Sequence, residues 1–165
     1  MKINNNYGFS LIELLLVITM LSIVVVASTS LLFTTMSGSN KASGLAIVKQ
    51  NGDHAISYIE RQTREAESVE CDTDPNPDEL NLTDVDGNPI TITTETATGR
   101  IVTIVPPDIT YLTSDELLAE NFTCEVDLGD PAVVQVNFRM TLAPGGIPSE
   151  TATESFQTRV SLRTY

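Results

Sequence analysis

The chain has no tryptophan, one histidine, two cysteines, and nine basic residues against 22 acidic ones. Two cysteines exclude a multi-disulfide scaffold and a cysteine-rich zinc site. The lone histidine, His54, has no cysteine, Ser-Gly elbow or acidic partner at a recognisable catalytic spacing, so it reads as a polar-face helix residue. The net charge of -13 opposes bulk-charge binding of DNA, RNA or anionic lipid, because phosphates would be repelled. The chain's 165 residues amount to about one domain, and its 41% hydrophobic content excludes wholesale disorder.

Charge is also unevenly absent. None occurs from Leu14 to Asn40, whereas Glu65 to Asp130 holds seventeen acids and the single base Arg100. Within the uncharged stretch, Leu14 to Phe33 has fifteen apolar residues among twenty, and its polar members are only Ser and Thr. Their hydroxyls can return to helix carbonyls, which makes them cheap in a membrane. Twenty helical residues span about 30 Å, the thickness of a bilayer core. A soluble helix this apolar on every face would need a much larger protein around it.

Three membrane readings compete. Lys2 and the Val25-Val26-Ala27 run suit a secretory signal peptide cut before Ser28, which would leave a secreted extracytoplasmic β-domain binding protein. A plain signal anchor is the second reading. Neither explains Glu13, because a carboxylate carried to the bilayer centre costs about 2.5–3.5 kcal/mol.

The third reading rests on Gly8-Phe9-Ser10-Leu11-Ile12-Glu13 followed directly by an apolar run. This segment resembles the processing site of type IV pilins and of the pilin-like proteins of type II secretion and competence systems. The resemblance implies a leader, residues 1–8, cut after Gly8 by a prepilin peptidase, with Phe9 as the methylated new N-terminus. It implies that Glu13 guides assembly and sets axial register against the Phe9 amine of a neighbouring subunit, since a buried acid is tolerable only when paired. Gly8 would let the peptidase approach the backbone closely. The partners implied are that peptidase, other pilin or pseudopilin subunits, and an inner-membrane assembly platform. The location implied is the cytoplasmic membrane, single-pass with the C-terminal domain outside, and then a pilus or pseudopilus. Many major pilins break this helix with Pro or Gly, yet neither occurs between Phe9 and Met36. That departure favours a minor pilin or minor pseudopilin over a major pilin. On this reading the protein is a structural subunit and not an enzyme.

The expected fold is α+β: one long helix packed on a small antiparallel β-sheet. Residues 9–36 form the assembly helix, 37–70 its amphipathic continuation, and 71–165 the β-domain. Leu45, Val48, Ala55, Ile56, Ile59 and Ala66 fall at three- and four-residue steps, with Gly52 and Thr63 filling the stripe. The pattern predicts a helix to about Val69, with bends marked by Gly38, Gly44 and Gly52. Alternation then predicts strands around Leu80–Leu82, Ile90–Ile92, Arg100–Val105, Leu117–Val126, Val133–Leu142 and Phe156–Leu162, combined into one meander.

An even cysteine count in an extracytoplasmic domain suggests a Cys71–Cys124 disulfide; two buried free thiols are the alternative. Asp84, Asp86 and Asn88 have part of the spacing of a Ca²⁺ loop. However, the twelfth position, Glu95, lies in an expected strand, and Asp-Gly-Asn also makes an ordinary hairpin turn. No cofactor is expected.

Overall fold

The computed structural model describes residues 10–72, 78–127, 129, 131–142 and 152–162. Its two compact units are Met1–Asn40 and Lys41–Tyr165. Helix α1 runs Leu11–Glu65 and is followed by eight strands: β1 Ala66–Asp72, β2 Glu79–Asp84, β3 Pro89–Glu95, β4 Arg100–Val105, β5 Asp108–Tyr111, β6 Leu117–Asp127, β7 Val133–Leu142 and β8 Thr153–Ser161.

In the first unit every described side chain is exposed, Leu11 through Met36 included. An 18-residue window of this segment reaches a mean hydropathy of 2.6, enough in length and composition to cross a membrane. The hydroxyls are satisfied within the helix. Ser22 donates to the Ile18 carbonyl, Ser28 to Val24, Thr29 to Val25 and Thr35 to Leu31. These polar residues therefore need no external partner, as expected for Ser and Thr in an apolar setting.

In the second unit α1 buries Gly44, Val48, Gly52, Ala55, Ile59 and Thr63, a stripe at steps of three and four. Leu45, expected on this stripe, is exposed, and the smaller Gly44 takes its place. The three glycines expected as bends lie within an uninterrupted helix. Two of them, Gly44 and Gly52, lie on the buried stripe.

The helix ends four residues before the expected Val69, because residues 66–72 pair as a strand instead. Val69 lies opposite Leu82, and Cys71 opposite Leu80. Ladder hydrogen bonds and the alternating exposure of β1 outweigh a helical continuation whose stripe has run out.

The single expected meander is two antiparallel sheets, β1-β2-β3-β4-β5 and β6-β7-β8. The break has a local cause in the segment that follows β5. Leu112 N donates to the Ile101 carbonyl at 2.9 Å, and the Thr113 hydroxyl accepts from Ile101 N at 3.1 Å. Arg100 donates to the Thr113 carbonyl from Nε at 2.9 Å, and Ser114 N donates to Asn51 Oδ1 at 3.1 Å. Backbone groups that a continuing ladder would have used are thus taken by side chains and by β4. The chain then leaves the first sheet and starts the second at Leu117.

Both sheets and the helix share one core. Leu80, Leu82, Ile92 and Ile101 come from the first sheet; Phe122, Val136, Phe138 and Met140 from the second; Val48 and Ile59 from α1. Cys71 of β1 and Cys124 of β6 are disulfide-bonded, with Cα atoms 5.8 Å apart, so the bond ties the two sheets together.

One strand carries a defect. Inward positions of β6 are Leu117 and Ala119, then Phe122 and Cys124, so the alternation slips by one residue. The slip falls between Glu120 and Thr123, where the register against β7 shifts, and Asn121 has φ 53°. An asparagine in the left-handed region of a β-bulge lets both halves of the strand face the same core.

Candidate functional site

The residues expected to carry function lie at the head of α1. Ser10 precedes the helix, and its hydroxyl accepts from Glu13 N at 3.3 Å; the Ser10 carbonyl accepts from the same amide at 3.0 Å. Ser10 is therefore the helix N-cap, and Glu13 stands at the third helical position, as in a Ser-x-x-Glu capping box. Glu13 is the one acid of the first turn, where a negative charge complements the helix dipole. Sequence reasoning assigned Glu13 an assembly role but missed the cap, although serine three residues before glutamate was a legible signal. The expected cleavage and methylation residues, Gly8 and Phe9, lie outside the described residues.

Below Glu13, an unbroken apolar surface is exposed in the isolated chain. Leu14 through Ile18 each expose more than half of their surface, and Val26 exposes 70%. An apolar surface that extends round the whole helix calls for lipid or other apolar helices as its surroundings. The described span contains neither proline nor, before Gly38, glycine. The helix thus has no built-in break there.

Two of the other sequence candidates, Asp84 and His54, have local structural partners. Asp84 caps the β2–β3 hairpin. Its carboxylate accepts from Val85 N at 2.7 Å, its carbonyl accepts from Gly87 N at 2.8 Å, and Gly87 takes φ 79°. Among the described residues no three His, Cys, Asp or Glu side chains gather as metal ligands. His54, exposed on α1, places Nδ1 3.2 Å from the Leu112 carbonyl and so links the helix to the segment between the sheets. Tyr58 adds a further link, its hydroxyl donating to Thr103 Oγ1 at 3.3 Å. Another joins the second sheet, where Thr158 Oγ1 donates to Glu60 Oε1 at 2.6 Å.

Comparison with known families gives one match. Residues 3–29 match the family model of the prokaryotic N-terminal methylation motif. The match spans Gly8, Phe9 and Glu13 and ends within the apolar helix. No curated protein and no solved structure matches the chain.

Proposed function

We propose that this chain, whose N-terminus is that of the type IV pilin-like prepilins, is a minor pilin or minor pseudopilin of a pilus, type II secretion or competence-type filament. Proteins with this N-terminus are structural subunits, processed by prepilin peptidase and assembled with other pilins. The precursor is held in the cytoplasmic membrane by residues 9–36, with the β-domain outside. Cleavage after Gly8 frees the Phe9 amine for methylation. The subunit then enters the filament through its helix and carries out no catalysis of its own.

The observation that carries the reading is the methylation motif running directly into a helix whose apolar surface is exposed on every side. Such a helix exchanges one apolar environment for another: lipid in the membrane, neighbouring helices in the filament. In that dry interior a charged Glu13 needs a partner, and the amine of a neighbouring Phe9 is the nearest chemical match. The unbroken span between Phe9 and Met36 supports the minor over the major assignment.

N-terminal sequencing of the mature protein, produced with its prepilin peptidase, tests the reading. A methylated Phe9 is the expected N-terminus. An N-terminus at Ser28, or an intact Met1 in the presence of active peptidase, overturns it in favour of a secreted or signal-anchored β-domain. Abundance in sheared filaments then separates the ranks: a trace component supports the minor assignment, and a bulk component overturns it.

A further inference from the structure

The outer face of the three-stranded sheet carries a depression in the β-domain, apart from the N-terminal helix to which assembly is assigned above. Five polar side chains, Asn121, Asn137, Arg139, Ser155 and Gln157, surround this depression of about 270 Å³. This is near the lower end of small-molecule sites. The sheet register assembles it: Asn137 lies opposite Gln157 and Arg139 opposite Ser155 across β7 and β8. From the other side, the β6 bulge presents Asn121, whose left-handed backbone is the single positive φ among the described non-glycine residues. Bulges commonly re-aim one side chain toward a site. Phe138 and Phe156 also border the depression but are themselves buried.

Arg139 makes the depression chemically specific. Its guanidinium has no hydrogen-bond or ion-pair partner among the described residues, although the chain carries 22 acids. Glu120 is its register partner on β6, yet no ion pair joins the two. Arg100, by contrast, bonds the Thr113 carbonyl and stacks on Tyr111 at 3.9 Å; Arg159, on the same face of β8 but outside the depression, also has no partner among the described residues.

We propose that this depression binds a carboxylate-bearing saccharide. One unpaired guanidinium matches one carboxylate through its fork of donors. The amides of Asn121 and Gln157, the Asn137 carbonyl oxygen and the serine hydroxyl supply both donors and acceptors, which suits the hydroxyls of a sugar ring; Asn137 Nδ2 itself donates to Thr123 Oγ1 at 3.4 Å. The lining carries a single positive charge and no acid, which suits one carboxylate rather than a polyanion.

The test uses the full chain in detergent micelles, with immobilised glucuronate-terminated and glucose-terminated oligosaccharides as probes. Retention on the glucuronate probe and not on the glucose probe is expected. Arg139→Gln lowers affinity by roughly tenfold or more. Arg159→Gln, on the same face but outside the depression, leaves binding unchanged. Asn121→Gly keeps the left-handed backbone accessible and removes the amide, so it weakens binding with the fold intact. It gives the readout should Arg139→Gln fail to fold. Equal retention on both probes, equal losses in the two arginine variants, or displacement by inorganic phosphate as readily as by free glucuronate overturns the proposal. The outcome is independent of how the N-terminus is processed.

Discussion

Gly52 of α1 lies directly beneath the ring of Phe156 of β8: a Cβ built on Gly52 would overlap Cζ, Cε1 and Cε2 of that ring, well inside van der Waals separation, so the ring would have to shift. Here the helix backbone itself is the packing surface. Phe156 stacks in turn on Phe138, with ring centroids 5.3 Å apart, and Phe138 on Phe122 at 6.3 Å. A row of three phenylalanines across the second sheet therefore ends on one helical glycine. Glycine in a helix ordinarily costs about 1 kcal/mol relative to alanine. At this position the close approach reverses that preference.

Gly52→Ala is accordingly a destabilising substitution, by about 1–3 kcal/mol, as expected of overpacking in a closed core. Urea denaturation of the full chain measures it. Combining Gly52→Ala with Phe156→Leu recovers part of the loss, because the shorter side chain makes room for the methyl. Stability equal to that of the original chain in Gly52→Ala alone would show that the ring moves aside at no cost.

The disulfide predicts a second outcome. Cys71 and Cys124 are 53 residues apart in sequence and belong to different sheets. Replacing both by serine removes the covalent tie and destabilises the β-domain by about 2–5 kcal/mol. Thermal unfolding with and without reductant checks this: the original chain loses stability when reduced, and the double variant does not respond.

The third prediction separates the two roles open to Glu13. Ser10 accepts from the Glu13 backbone amide, and that cap survives any change of side chain. Glu13→Gln keeps a capping-box side chain and removes the charge. If the charge pairs with a neighbouring Phe9 amine, Glu13→Gln and Glu13→Ala are both cleaved normally and both fail to enter filaments. Shearing followed by immunoblotting reads this. Filament entry of Glu13→Gln at the original level assigns the residue to helix capping alone.

Much of this chain was legible residue by residue. The span from Leu14 to Phe33 needed only a count of apolar residues, and the motif from Gly8 to Glu13 needed only its spacing. Strand positions such as Val134, Val136, Phe138 and Met140 followed from period-two alternation, because a strand with one buried face must alternate. The end of the helix was misplaced because residues 66–69 suit both periods. Their strand partners, Asp84 to Leu82, decide between the two.

By itself, the sequence determined what depends on neighbours along the chain: an uncharged helix long enough for a bilayer, an acid at its head, and the buried face of regularly alternating strands such as β7. Tertiary structure decided what depends on residues brought together from far apart. It split the strands into two sheets, because Arg100, Asn51 and Thr113 take up the backbone groups between them. It turned Gly52 from a helix weakness into a seat for Phe156, and it used a bulge at Asn121 to bring an amide beside Arg139. The physical reason is one of range. Periodicity and solvation act within a few residues, whereas steric fit and charge pairing act only between surfaces that the completed fold has placed in contact.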